Sequence, residues 1–258
     1  MKLIISPAKR MEECDDLFEA GGFPVYLSQA QALCGRLREM TKEELQKLFG
    51  ANDKITHENF LRYQRMNLTR ARTPALLAYI GIQYQYMAPK LFSERQWDYV
   101  REHLRILSGL YGILKPDDRV TPYRLEMQAK LSMGEKRDLY AFWGDFLYRE
   151  LTKGQQPGKE TVIVNLASVE YSRAVEPYLA PGVRFVTCVF GTLKDGSVKV
   201  KATEAKMARG EMVRFLAERE AKEPQTLKEF DRLGYRYEPE RSKPDLFVFV
   251  KGKDHIRN

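Results

Sequence analysis

The residue types able to carry acid–base or anion chemistry fall in a few short stretches of this chain. Ser6-Pro-Ala-Lys9 has the Ser-x-x-Lys spacing in which a lysine assists attack by a serine. The partner motifs of that chemistry, Ser-Asp-Asn and Lys-Thr-Gly, do not occur. The serine also ends an apolar run and precedes a proline, so the stretch reads as a turn that aims Lys9 into a cleft. Glu126, in Pro122-Tyr-Arg-Leu-Glu-Met127, and Glu170, just after Asn165 and Ser168, supply carboxylates, an amide and a hydroxyl. Brought together with Lys9 and Arg124, such groups could act as general acid and base, because paired carboxylates beside a lysine shift each other's pKa.

Other stretches suit anion binding. Leu107-Ser-Gly-Leu-Tyr-Gly112 holds two glycines three apart, whose backbone N–H groups could come close to a phosphate. A turn of this kind occurs in the helix-hairpin-helix, which grips a nucleic-acid backbone without reading bases. A plain helix cap and tight turn accounts for the same residues. Lys206, Arg209 and Arg214 lie off the Ala208/Met212/Phe215 stripe and give one helix a basic face, for phosphate or simply for solvent. Metal chemistry has no support. His57, His103 and His255 are isolated, and Cys14, Cys34 and Cys188 are odd in number and widely spaced. This cysteine usage fits a reducing cytoplasm. No glycine-rich phosphate loop or dinucleotide fingerprint is present, so no cofactor is implied.

The elements that must position these residues are visible as patterns. Leu3-Ile4-Ile5 reads as a buried strand stopped by Pro7. Thr41-Lys-Glu-Glu44 and Ser93-Glu-Arg-Gln96 are capping boxes. The first leads into Leu45, Leu48 and Phe49, the second into a stripe of Trp97, Val100, Leu104 and Leu107 that predicts a helix ending at Gly109. Leu139, Phe142, Phe146 and Leu147 form a further helical stripe, as do Ala208, Met212, Phe215 and Leu216. Residues 161–166, 183–190 and 246–250 are β-branched and aromatic, hence strands, and Asp195-Gly196 signals a hairpin into residues 198–200. Helices and strands mix without a regular βαβ rhythm. The expected class is α+β, a mixed sheet surrounded by helices, in a single domain over residues 1–258.

With 258 residues, 43% hydrophobic and 30% charged, the chain has the profile of a soluble globular protein and can bury its own core without disulfide or metal. No apolar run reaches the ~18 residues of a membrane helix, and the N-terminal apolar run is too short for a signal peptide. Lys and Arg number 43 against 35 Asp and Glu, a net charge of +8. Between Glu58 and Glu94 there is no acidic residue. Arg62, Arg65, Arg70, Arg72 and Lys90 stand there among Phe60, Tyr63, Tyr79, Tyr84, Tyr86 and Phe92. Basic residues with exposed aromatics suit a polyanion whose bases can stack; aromatics in the core would leave only a solvated basic face.

Taken in order, Ser6-Pro-Ala-Lys9, Leu107-Ser-Gly-Leu-Tyr-Gly112, Pro122-Tyr-Arg-Leu-Glu-Met127, Phe142-Trp-Gly-Asp145, Asn165-Leu-Ala-Ser168 with Glu170-Tyr171, and Lys206-Met-Ala-Arg-Gly210 resemble the YaaA peroxide-stress family over nearly the whole chain. The resemblance implies a cytosolic bacterial protein of the peroxide response that limits free intracellular iron. It also implies a family-specific fold with a helix-hairpin-helix-like element, and DNA binding in a positively charged cleft. Carried over by position, Lys9, Lys54, Arg105, Lys115, Arg124, Lys206 and Arg209 are the cleft charges, with Gly109, Tyr111 and Gly112 in the turn. The family's common Ser-Asp-Lys stands here as Asn52-Asp53-Lys54. The expected partner is DNA, duplex, single-stranded or branched, with no membrane and no obligatory protein partner. The rival reading is an enzyme acting on nucleic acid or a small anionic substrate through Lys9, Glu126, Asn165, Ser168 and Glu170. Direct iron sequestration by carboxylates is a third reading without a ligand cluster to support it.

Overall fold

The computed structural model describes residues 1–14, 17–156 and 158–252. His255 lies outside them. The strands are β1 (Lys2–Ile5), β2 (Arg10–Met11), β3 (Thr73–Pro74), β4 (Tyr79–Ile80), β5 (Leu104–Ser108), β6 (Gly112–Leu114), β7 (Arg119–Val120), β8 (Thr161–Leu166), β9 (Val183–Lys194), β10 (Ser197–Lys199), β11 (Tyr235–Tyr237) and β12 (Leu246–Lys251). The α-helices are α1 (Leu27–Glu39), α2 (Lys42–Phe49), α3 (Asp53–Arg65), α4 (Ala75–Ala78), α5 (Ile82–Met87), α6 (Glu94–His103), α7 (Leu139–Trp143), α8 (Phe146–Thr152), α9 (Val169–Ser172) and α10 (Ala202–Glu218).

The expected mixed α and β architecture is present. Eight strands form one sheet in the order β11-β12-β9-β8-β1-β5-β6, with β10 hydrogen-bonded to β9. The five central strands β12, β9, β8, β1 and β5 are mutually parallel, and antiparallel β6 and β11 close the two edges. β1 lies in the middle because Leu3, Ile4 and Ile5 are apolar on both faces and have no exposed surface. The β9–β10 turn has positive φ at both Asp195 (49°) and Gly196 (73°), the two-residue hairpin geometry their sequence asks for. Both capping boxes form: Thr41 accepts the Glu44 N–H and Ser93 the Gln96 N–H, each with the reciprocal side-chain bond.

The topology opens a crevice. From β1 the chain moves to β5 on one side; from β8 it moves to β9 and β12 on the other. Connections that leave two adjacent parallel strands in opposite directions cannot cover their carboxyl ends, and ligands bind there in open α/β sheets. Here those ends are Ser6, after β1, and Ser168, after β8.

Two expected elements differ. The helix from residue 93 stops at His103, and Leu104–Ser108 is the fully buried strand β5 between β1 and β6. Sheet pairing of a Leu-Arg-Ile-Leu run outweighs the helical spacing that Leu104 and Leu107 share with Trp97. Residues 107–112 therefore form the tip of a β-hairpin, with residues 109–111 as its turn, and not a helix-hairpin-helix. The stripe of residues 139–147 is two helices, α7 and α8, separated by Gly144 at φ 48°.

Candidate functional site

The crevice at the ends of β1 and β8 is a cleft of about 360 Å³. Its floor is hydroxyl-rich. Ser6 Oγ accepts the Ser168 backbone N–H (2.9 Å) and donates to Ser168 Oγ (3.2 Å), tying the two strand ends together across 162 residues of sequence. The Tyr84 hydroxyl, from α5, donates to the Ser6 carbonyl (3.0 Å). Asn165 does not reach the cleft. Its Oδ1 accepts the Ala167 N–H (2.9 Å) and its Nδ2 donates to Thr187 Oγ1 (3.4 Å), so it shapes the loop that presents Ser168.

One wall comes from residues 123–126, held in place from behind. The Tyr63 hydroxyl donates to the Arg124 carbonyl (2.8 Å), and the Tyr123 hydroxyl bonds those of Ser108 (2.6 Å) and Tyr79 (2.9 Å). On this wall Glu126 Oε1 takes both Lys9 Nζ (3.0 Å) and Arg124 Nη2 (3.1 Å). Glu170, in the short α9, accepts the Gln128 N–H (3.3 Å). Burial holds its carboxyl above the usual glutamate value, and the charge of Glu126 pushes the same way.

The opposite wall is α10. Gly210 lets this helix approach α5 closely, since a Cβ there would sit 2.1 Å from the Gln83 carbonyl oxygen. That contact brings Lys206 and Arg209 to the cleft beside Gln83. Five cations line it, Lys9, Arg10, Arg124, Lys206 and Arg209, against the carboxylates Glu126 and Glu170. Glu126 is one carboxylate shared by two cations, Lys9 and Arg124. Among the described residues, Arg209 has neither a hydrogen-bond nor an ion-pair partner, although its Nε is buried, and burial lowers its pKa. The Gln83 amide nitrogen and Arg124 Nε are likewise buried and unpartnered. The protein thus desolvates donors on both walls without supplying acceptors, an arrangement that favours a bound anion.

The structure brings together Lys9, Arg124, Glu126, Ser168, Glu170, Lys206 and Arg209. It does not bring the others. Arg105 is buried, and its Nη1 donates to the carbonyls of Leu104 (2.7 Å), Arg101 (3.1 Å) and Glu102 (3.3 Å). It is therefore a backbone clamp and not a cleft charge. It shares a separate recess with Lys115, and Lys54 is exposed on the first turn of α3. The Gly109–Gly112 turn is internal: Leu110 and Tyr111 have no exposed surface, and Ser108 Oγ takes the Tyr111 N–H (2.9 Å). Gly109 is needed because a Cβ would lie 2.4 Å from the Leu125 carbonyl oxygen, and Gly112, at φ 72°, sits against Trp143. These glycines serve packing, and phosphate has no access to the turn. In the acid-free window Tyr63, Tyr79, Tyr84 and Phe92 are buried, so they form core and no stacking ladder. Sequence reasoning missed Gln83 and Arg10 as cleft residues. Nothing local marks either one; only the approach of α10 and the turn after β1 place them. No group of three potential metal-ligating side chains exists among the described residues.

The family described as peroxide stress protein YaaA matches residues 1–241. A UPF0246 protein of Desulfitobacterium hafniense is 53% identical over 97% of this chain and 98% of its own length. UPF0246 proteins of Pediococcus pentosaceus and Lactiplantibacillus plantarum are 48% and 47% identical, over 99% and 97% of this chain and 100% and 99% of theirs.

Proposed function

This chain belongs to the YaaA peroxide stress protein family, and from that premise we propose that it serves the peroxide response by binding nucleic acid through the β1/β8 cleft with low sequence specificity. The observation that carries this reading is the unpartnered, desolvated Arg209 facing the same cleft as Lys206, Arg10 and Gln83. A half-buried guanidinium whose Nε is buried without an acceptor is costly, and a phosphate oxygen is the acceptor that relieves it. Contacts of this type hold a backbone and carry no sequence information. The physiological outcome attached to this binding is a smaller pool of free iron in the cytoplasm. The cleft has the size of a small-molecule site, so it takes one unit of a strand at a time. The test is a binding titration against duplex, single-stranded and branched DNA with wild type and Lys206→Glu. Lys206 is exposed, so the substitution leaves the core intact. We expect wild type to bind and the variant to bind at least tenfold more weakly; equal binding by both proteins overturns the reading.

A second reading, an enzyme acting on a small anionic substrate, is favoured by one observation. Glu170 combines a raised carboxyl pKa with a place beside the Glu126–Lys9 pair, as a general acid or base requires. A Glu170→Gln protein that binds DNA normally yet fails to protect cells from peroxide would support it.

A further inference from the structure

We propose that the cleft receives a phosphomonoester, the terminal phosphate of a strand, and not the internal phosphodiesters along it. The inference rests on the nucleic-acid reading above and specifies which phosphate enters the site.

The uncommitted donors of the cleft come from three directions. On the α10 wall, Arg209 buries its Nε without an acceptor, and Lys206 beside it has no carboxylate partner among the described residues. Gln83, on the adjoining α5, is only 6% exposed, and its side-chain nitrogen also lacks an acceptor. On the facing wall, Arg124 gives Nη2 to Glu126 and keeps a buried Nε unpartnered. On the floor, the Ser168 hydroxyl accepts from Ser6 Oγ and donates to no group among the described residues. All of these residues line one cavity of about 360 Å³. Buried donors are nearly always paired in proteins, so a set left unpaired around one cavity outlines the acceptor that completes it.

The arrangement distinguishes between kinds of phosphate. A tetrahedral phosphate that meets two walls and the floor presents three unesterified oxygens, and its remaining bond points to the mouth. A monoester has that form. An internal phosphodiester has two free oxygens and two chain arms, and one arm would run into a wall or the floor. Charge points the same way. Five cations against two carboxylates leave an excess of three positive charges in the cleft. A phosphomonoester brings a charge of about −1.5 to −2 at neutral pH, whereas each internal phosphate of a strand brings about −1. A carboxylate has two oxygens in one plane, so it leaves either the floor or a wall unmatched.

Titration of the full chain with methyl phosphate and with dimethyl phosphate, followed by calorimetry, tests the ester class. We expect methyl phosphate to bind at least about tenfold more tightly. Arg209→Met should remove the difference. So should Lys206→Ala, an exposed-site variant that keeps the result readable if Arg209→Met folds poorly. Equal binding of the two esters by wild type overturns the monoester class. A second arm separates a strand end from a free phosphomonoester. It compares one single-stranded oligonucleotide carrying a 5′-phosphate, a 3′-phosphate, hydroxyls at both ends, or no ends at all in a closed circle. A gain of about tenfold from a phosphate at either end, lost in both variants, assigns the site to strand ends. Preference for methyl phosphate without any DNA binding keeps the monoester site for a free phosphomonoester and overturns the nucleic-acid reading. Oligonucleotides bound alike whatever their ends overturn the inference and leave that reading standing.

Discussion

At the scale of single residues, the cleft is maintained against the interest of stability. Arg209 is desolvated with no partner among the described residues, and Gln83 and Arg124 each bury an unpartnered nitrogen in the same walls. A solvated guanidinium would be cheaper, and under the proposed function a phosphate oxygen is what offsets that cost. Arg209→Met should therefore raise stability by about 1 kcal/mol, because it removes a buried, unpartnered Nε–H and keeps a similar volume on α10 beside Cys188. Urea denaturation of the ligand-free protein measures this directly. A loss of stability in the variant would mean that the guanidinium has an internal partner and is structural, as Arg105 is. Arg105 shows the contrast: it is equally basic in sequence, but its Nη1 donates to three carbonyls and it lies away from the cleft. Residue type alone does not separate these two arginines.

At the scale of elements, what could be read from sequence was local. β1, β8, β9 and β12 are short apolar runs, the capping boxes need only four residues, and the Asp195-Gly196 turn needs two, so each was legible. The α6–β5 boundary was not, because Leu104–Ser108 becomes a strand only when β1 and β6 flank it. The cleft was legible as separate pieces, Lys9, Glu126, Ser168, Glu170 and Lys206, but their meeting depends on the Ser6–Ser168 contact and the α5–α10 approach at Gly210. The turn after β6 carries a consequence of the same nonlocal kind. Asp118 is buried, accepts the Lys115 N–H (2.8 Å), and has its pKa pushed up to about 7 by burial, with the neighbouring Asp117 adding to it. A carboxyl with a folded pKa above its unfolded value holds a proton that the unfolded chain releases, so stability falls as pH rises from about 4 to about 7. The upper bound on that loss is about 4 kcal/mol at about 1.36 kcal/mol per pKa unit. Asp118→Asn keeps an acceptor for Lys115 and removes the titration. Its melting temperature should match wild type near pH 4.5 and exceed it at pH 8 by on the order of 5–10 °C. An identical difference at both pH values would show that Asp118 is ionised throughout.

At the scale of the whole molecule, part of the net charge of +8 is taken up in ion pairs. Arg62 pairs with Glu58, Lys90 with Glu12, Arg101 with Asp98 and Asp117, and Arg184 with Glu160 and Asp245. The acid-free window, basic on paper, turns Tyr63, Tyr79 and Tyr84 into the core and lends some of its cations to neighbouring carboxylates. Arg65, Arg70 and Arg72 stay exposed without a carboxylate partner among the described residues, while in the cleft Arg10, Lys206 and Arg209 lack one and line a single cavity, with Lys9 held by Glu126. Each phosphate neutralised on DNA contributes about −0.9 on duplex, or −0.7 on single strands, to the slope of log Kobs against log salt. Three such cations predict a slope of about −2 to −3, measured by titration between roughly 50 and 200 mM salt. A slope steeper than about −5 would require six or more contacts and would move the interface out of the cleft onto a wider surface. A slope near zero would mean that phosphate is not what the cleft holds. Lys206→Glu should make the slope shallower by about one, because it takes one counterion-releasing contact out of a set of three. A surface lysine outside the cleft, Lys54 on α3, should leave the slope unchanged when altered in the same way. The difference between those two charge reversals locates binding in the cleft independently of the net charge, which both variants lower by the same amount.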